Sequence, residues 1–160
     1  MPIKLSNEIE NIFGKAPYLI KKISGGSIAE VFHIHMNDKS EVIAKLNQIG
    51  DSLLNEGWML EFLKEKSNLP IPNVLHCSKE LLVLEYIPTQ GGINRNVEED
   101  AADHLAKLHN IKNSKFGLEK NTFIGGLHQP NPYYHKWLDF FKEQRLFYMS
   151  QKAVNAGKIS

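Results

Sequence analysis

One cysteine, Cys77, stands among the 160 residues. An intramolecular disulfide is impossible and a cysteine-based metal cluster is excluded, which fits a reducing compartment. Charge of one sign is lacking as well: Lys and Arg number 19 against 18 Asp and Glu, for a formal net charge of +1. With no basic stripe, neither nucleic acid nor an anionic membrane surface is favoured as a partner. No segment approaches the roughly 18 consecutive apolar residues of a membrane span, and Met1-Pro2-Ile3-Lys4-Leu5 lacks the apolar core of a secretion signal. The seven histidines are scattered, and internal repeats and low-complexity stretches are missing. What is left, 42% hydrophobic and 23% charged residues, is ordinary for a soluble globular protein. A soluble, cytoplasmic protein is expected, long enough for one domain or for a lobe and a half of a larger one.

Along the chain, Leu5, Ile9 and Ile12 recur at helical spacing before Gly14 and Pro17, predicting a short first helix. Tyr18 to Ile23, Ile28 to His35 and Glu41 to Leu46 read as strands around Ser24-Gly25-Gly26-Ser27 and the turn Asn37-Asp38-Lys39-Ser40, forming an antiparallel meander. A helix follows to about Lys66, with Asp51 or Ser52 as its N-cap and Pro70 and Pro72 beyond its end. Val74 to Ser78 and Leu81 to Tyr86 are two more strands. Because Leu81-Leu82-Val83-Leu84 is apolar without alternation, burial on both faces is expected. After a linker from Pro88 to Gly92, Val97, Ala101, Leu105 and Leu108 share one helical face between Asn94 and Asn110. A loop containing Gly117, Gly125, Gly126 and Pro130 leads to a final helix from Tyr133 to about Met149, and then to a weakly apolar tail from Ala153 to Ser160. The order predicts an α+β chain of the protein-kinase-like fold. A complete small lobe, a five-stranded antiparallel sheet plus one helix, occupies residues 1–88; a linker and the first helices of the large lobe occupy 89–160.

Four features fall in the order a nucleotide site needs. At Gly25, Gly26 and Ser27, a turn without β-carbons lets backbone N–H groups approach phosphate oxygens, although paired glycines also simply make a tight hairpin. Lys45 lies on the strand face opposite Val42, Ala44 and Leu46. It is either a solvated edge charge or the lysine that binds the α- and β-phosphates of ATP. Glu56 falls in the apolar arc of Leu53, Leu60 and Leu63, where a carboxylate is costly unless a cation meets it; Lys45 is the nearest upstream candidate. Glu85-Tyr86-Ile87 ends the apolar strand, and there unpaired backbone groups at Glu85 and Ile87 can read an adenine edge.

These residues also carry a resemblance. Gly25 to Val31, Val42-Ile43-Ala44-Lys45, Glu56 and Leu105-Ala106-Lys107-Leu108-His109 are similar to the aminoglycoside phosphotransferase and choline kinase superfamily. More narrowly, Phe116-Gly117, Asn121, Ile124-Gly125, Gln129, Asn131, Trp137, Phe140-Phe141 and Arg145-Leu146 resemble the fructosamine kinase family, over nearly the whole span from Ile20 to Leu146. The resemblance implies ATP and Mg²⁺ as cofactors and a ketosamine, either a small molecule or a glycated amine, as substrate. It implies a phosphate loop at Gly25 to Ser27, a phosphate lysine at Lys45 with its partner Glu56, and an adenine hinge from Glu85 to Ile87. It also places Asn121, Gln129 and Asn131 on the substrate side, although such polar groups equally hold an irregular loop together by bonding its backbone.

Phosphoryl transfer also needs a group to orient or deprotonate the acceptor and ligands for the metal. In this superfamily they come from a His-Gly-Asp motif and a later Asp. No His-Gly-Asp occurs in the chain, and Asp100, Asp103 and Asp139 all fall within predicted helices. The expectation is a natural or cloned truncation of a ketosamine kinase, with base and metal ligands beyond Ser160. The alternatives are a non-catalytic nucleotide-binding or interaction remnant, and a kinase of another small alcohol of the aminoglycoside or choline type. In a truncated lobe Trp137, Phe140, Phe141 and Phe147 lack part of their core, and an exposed aromatic helix favours self-association.

Overall fold

A computed structural model of the chain describes residues 2–23, 29–47, 52–89 and 91–159. The chain divides into two compact units, residues 1–110 and 111–160.

In the first unit, α1 (Pro2–Phe13) precedes β1 (Pro17–Ile23), β2 (Glu30–Met36) and β3 (Glu41–Leu46); α2 (Ser52–Lys66), β4 (Val74–Cys77), β5 (Leu81–Glu85) and α3 (Arg95–His109) follow. The strands form one antiparallel sheet in the order β1-β2-β3-β5-β4. The meander and the later strand pair thus stand where the sequence put them. Because side chains alternate along a strand, the sheet has two distinct apolar faces. Ile34, Met36, Val42, Ala44, Leu81 and Val83 pack with Leu5 and Ile9 of α1 on one face. On the other, Leu82 and Leu84 pack with Leu53 of α2, joined by Ile43, Leu60 and Val74. The unbroken run of β5 is therefore divided residue by residue between two cores.

The turn between β2 and β3 is built around Asp38. Its carboxylate accepts from the Ser40 N–H at 3.1 Å, the Ser40 hydroxyl at 2.6 Å and Lys15 Nζ at 2.6 Å. Lys39 takes φ +71°, the left-handed conformation the turn demands. At the start of α2, Asp51 lies outside the described residues; Ser52 Oγ accepts from Asn47 Nδ2 at 2.5 Å. Packing of α2 on β4 is close enough that a β-carbon on Gly57 would stand 2.5 Å from Cys77 Sγ. The Cys77 thiol in turn lies 3.5 Å from the Leu53 carbonyl oxygen, and burial, followed by the charges of Glu61 and Glu56, pushes its pKa up. α3 is capped at both ends: the Asn94 side chain accepts from the Val97 N–H, and Asn110 closes the C-terminus.

The second unit departs from expectation in two places. The glycine-containing loop contains a hairpin, β6 (Thr122–Ile124) with β7 (Leu127–Gln129), turning at Gly125-Gly126. Strands this short leave too few alternating positions for a pattern to show. The aromatic helix starts later and ends later than its periodicity predicts. It runs as α4 (Trp137–Phe141), a π-helical turn (Lys142–Phe147) and α5 (Tyr148–Asn155). Tyr134 cannot join it, because its N–H and C=O are both bonded to Phe116, at 2.7 and 2.8 Å. The predicted tail is helical as far as Asn155 and is closed by Gly157 at φ +64°, with the Lys158 N–H returning to the Ala153 carbonyl.

Two measurements probe this packing. Replacing a helical glycine by alanine ordinarily stabilises by about 1 kcal/mol, but Gly57→Ala is expected to destabilise by about 1–3 kcal/mol through overpacking against Cys77. Denaturant unfolding of Gly57→Ala, Cys77→Ala and the double variant should show the loss largely recovered in the double; additive effects would refute the contact. The Lys15 ammonium, then the Ser40 bonds, hold the Asp38 carboxyl well below the usual carboxylate range. Its contribution is present above the ordinary carboxylate pKa and is lost as pH falls through Asp38's own lower value. Thermal melts of Asp38→Asn should therefore decline less steeply below about pH 4 than those of the parent chain.

Candidate nucleotide site

Lys45 and Glu56 come from different elements. On β3, alternation sends Val42 and Ala44 into the α1-side core and leaves Ile43 and Lys45 on the α2 side. On α2, Glu56 follows the buried Leu53 by one turn, so it faces the sheet. Lys45 Nζ is ion-paired and hydrogen-bonded to Glu56 Oε1. The side chains are 27% and 36% exposed, so the pair is partly screened by solvent. The apolar arc drawn for Glu56 is only partly buried: Leu53 and Gly57 are buried, while Leu60 and Leu63 are half-buried. The carboxylate is stabilised by its cation at the rim of the core.

Strand register adds neighbours. Val31 pairs with Lys45 and Ile23 with Val31. Ile23, Val31 and Ile43 thus form an apolar patch beside the lysine. Gly25, Gly26 and Ser27, the expected phosphate loop between β1 and β2, lie outside the described residues.

At the end of β5, Glu85 is held firmly. Its N–H donates to the Asn73 carbonyl at 2.9 Å, and its carboxylate accepts from the Asn73 N–H at 3.1 Å and from Asn73 Nδ2 at 2.6 Å. Lys64 of α2 bonds Asn73 Oδ1, tying the helix to the same corner. Sequence reasoning missed Asn73; its position between Pro72 and the first residue of β4 was the available signal. Past this lock the backbone opens. Among the described residues none hydrogen-bonds the Ile87 amide, and Ile87 is 49% exposed.

In the second unit, Asn131 is only 2% exposed and its polar atoms are all engaged. Its N–H donates to Asn121 Oδ1 at 2.9 Å. Its Nδ2 donates to the Lys120 carbonyl at 3.1 Å and to Thr122 Oγ1 at 3.0 Å. Its Oδ1 accepts from Arg145 Nη2 at 2.6 Å. Arg145 also donates to the Pro130 and Gln144 carbonyls and lies over the Phe140 ring at 4.7 Å; burial pulls its pKa below the ordinary guanidinium value. The π-helical turn brings both Gln144 and Arg145 inward, with Gln144 Nε2 on the Tyr134 hydroxyl at 2.8 Å. Gly117, at φ +128°, permits this: a β-carbon there would stand 2.5 Å from the Pro132 carbonyl oxygen. Gln129 of β7 pairs with Thr122 of β6. The structure thus brings together Lys45 with Glu56, and Asn121 with Asn131, as two separate groups.

An antiparallel five-stranded sheet with a helix after its third strand is the small-lobe architecture of the kinase-like fold. Solved structures share it. A Thermobifida fusca protein assigned as a fructosamine-3-kinase superposes with a TM-score of 0.83 at 19% identity, covering 98% of this chain and 56% of that one. The streptomycin–ATP complex of the aminoglycoside kinase APH(2")-IIa superposes over 71% of this chain and 41% of that one, with a TM-score of 0.54 at 16% identity. The fructosamine kinase family model matches residues 1–159, and the chain belongs to that family. Among curated relatives, a "Probable ketoamine kinase" of Vibrio cholerae is 28% identical over 165 residues, covering 96% of this chain and 57% of its own length. The chloroplastic protein-ribulosamine 3-kinase of Arabidopsis thaliana is 30% identical over 152 residues, covering 88% of this chain and 45% of its own. The chain spans about half the length of the curated relatives it matches.

The Asn131 network is testable in isolation from activity. Asn131→Ala leaves the Arg145 guanidinium and the Thr122 hydroxyl short of partners and is expected to cost on the order of 2–3 kcal/mol. The readouts are denaturant unfolding and faster proteolysis between residues 118 and 131; unchanged values in both would show the network to be dispensable.

Proposed function

We propose that this chain is the ATP-binding part of a kinase that phosphorylates a sugar-derived ketosamine, with residues 1–88 as the ATP lobe and 89–160 beginning the second lobe. The observation that carries this reading is the Lys45–Glu56 ion pair on the α2 side of the sheet, next to β5, whose continuation carries an Ile87 amide with no partner among the described residues. In this reading Glu56 holds the Lys45 ammonium where it meets the α- and β-phosphates, and Ile23, Val31 and Ile43 cover the adenine. The backbone at Glu85 and Ile87 reads the adenine edge: the Glu85 N–H is already bonded to Asn73, which leaves the Glu85 carbonyl and the Ile87 amide for the task. Gly25, Gly26 and Ser27 complete this reading as its phosphate loop.

On the substrate side, Asn121 and Asn131 act by shaping the loop, since their bonds run to its backbone and to Arg145; Gln129 is the member of that group on β7. Mg²⁺ is the implied counter-ion of the phosphates, and no carboxylate cluster that would hold it is found among the described residues. Asp100, Asp103 and Asp139 are exposed helical residues, and the acidic or histidine group close enough to hold a cation among the described residues is at His33, His35 and Glu41 instead. No transfer step is therefore assigned to these residues.

A non-catalytic nucleotide-binding role remains the second reading, since the Lys45–Glu56 pair bears on holding phosphates rather than on transferring one. The exposed rings of Trp137, Phe141 and Phe147, with Phe140 alone among these four buried, support self-association of the isolated chain. Trp58 lies two residues beyond Glu56 and packs on Phe62 at 5.3 Å, which makes it a natural reporter. Titration of the chain with Mg-ATP should give a saturable change in its fluorescence. Lys45→Ala should weaken that binding by about tenfold or more, corresponding to the roughly 1.4 kcal/mol or more of a charge-assisted contact. The chain by itself should not phosphorylate a ketosamine. Absence of any saturable signal would remove the nucleotide assignment, and turnover by this chain would remove the account of its missing base.

A further inference from the structure

β2 carries His33 and His35 two residues apart, on the face opposite the buried Ile34 and Met36. Register sets Glu41 of β3 directly across from His35. One ligand atom from each of these three side chains lies within 4.8 Å of the others. His33 Nε2 is 2.6 Å from Glu41 Oε2, and His35 Nδ1 is 3.4 Å from the same oxygen. The histidine side chains are 16% and 17% exposed.

The contacts are close, but they do not satisfy the rings. His33 Nε2 and His35 Nε2 are both buried without a hydrogen-bond partner among the described residues. For His33 the short distance therefore comes with the carboxylate oxygen off the N–H direction, where a hydrogen bond is weak. Buried imidazole nitrogens left in this way carry a desolvation penalty. The ring of His33 is fixed from both sides, by Tyr86 stacked at 4.1 Å and His35 tilted at 4.2 Å. Two packed imidazoles and a carboxylate, converging within 4.8 Å with His33 Nε2 and His35 Nδ1 turned toward Glu41, form a donor set rather than a finished hydrogen-bond network.

We propose that His33, His35 and Glu41 bind a divalent transition-metal ion of the zinc class. Two imidazole nitrogens and one carboxylate oxygen are the borderline ligands such ions prefer, and they disfavour Mg²⁺, which demands oxygen ligands in octahedral array. Three protein ligands leave a fourth position for water at the exposed side of Glu41. Bonds near 2.0–2.1 Å set tetrahedral ligands about 3.3 Å apart. The His35–Glu41 separation already matches that spacing, the three ligand atoms lie within 4.8 Å of one another, and Glu41 must withdraw by less than about 1 Å from His33, which its half-exposed side chain allows. Because His33 also stacks on Tyr86, the ion would join the β2–β3 end of the sheet to the segment that follows β5. The site uses none of the residues assigned to the nucleotide.

The test is metal titration of the purified, chelator-stripped chain, with Zn²⁺ by calorimetry and Co²⁺ by absorption. One equivalent of Zn²⁺ should bind saturably, Co²⁺ should give the visible bands of tetrahedral coordination, and Zn²⁺ should raise the melting temperature. Glu41→Gln and His35→Asn should each weaken Zn²⁺ by at least about tenfold and abolish the melting shift. His76→Asn, at a distant strand, should change nothing. If His35→Asn fails to fold, Glu41→Gln at its half-exposed position decides. Absence of saturable binding, or unchanged affinity in a folded Glu41→Gln variant, overturns the proposal; so does loss of binding in His76→Asn alone.

Discussion

Much of the first unit depends on how β5 is buried. Its four apolar residues go alternately to two cores, Leu81 and Val83 toward α1, Leu82 and Leu84 toward α2. A central strand with both faces covered obliges its neighbour β3 to present two faces as well. Val42 and Ala44 take one, and Ile43 and Lys45 the other. Full burial of such side chains is worth roughly 1.5–3 kcal/mol apiece, against about 1 kcal/mol or less for an ion pair as exposed as Lys45–Glu56. The hydrophobic layers thus decide the fold, and the ion pair inherits its position from them. Its value lies in where it holds a charge.

The accessory contacts serve the same positioning. Gly57 lets α2 approach β4 until only a hydrogen fits against the Cys77 thiol, which fixes the height of Glu56 over the sheet. Lys64, Asn73 and Glu85 tie the same helix to the end of β5. The lysine, its partner and the strand end are therefore joined through one helix. The second unit solves a comparable problem with polar groups. A long irregular loop leaves backbone carbonyls and amides that must be satisfied, and Asn131 and Arg145 satisfy several of them from a single buried point.

Legibility in the sequence followed the length of the repeating pattern. The five strands and α2 were readable because each shows several turns or alternations, and the placement of β5 followed from its unbroken apolar run. The β6–β7 hairpin offered only three residues per strand and passed for loop. The start of the aromatic helix was misplaced because Tyr133 keeps the periodicity while the adjoining Tyr134 is held by a bridge to Phe116, a contact eighteen residues away in the chain. The histidines looked scattered in sequence, yet His33 and His35 share a strand face and meet Glu41 across a turn.

The sequence by itself determined the order of elements in the first unit and the two-sided burial of β5, and it named Lys45 as the candidate partner of Glu56, since each rests on local period or on a charge in an apolar setting. Membership of the fructosamine kinase family was legible in its residues too, and the family match bears it out. Only the tertiary structure decided that Asn131 is wholly engaged within its loop, that Asn73 anchors Glu85, and that His33, His35 and Glu41 converge. Those facts depend on strand register and on contacts between residues far apart in the chain, where hydrogen-bond geometry within a few tenths of an ångström matters and linear spacing carries no information about it.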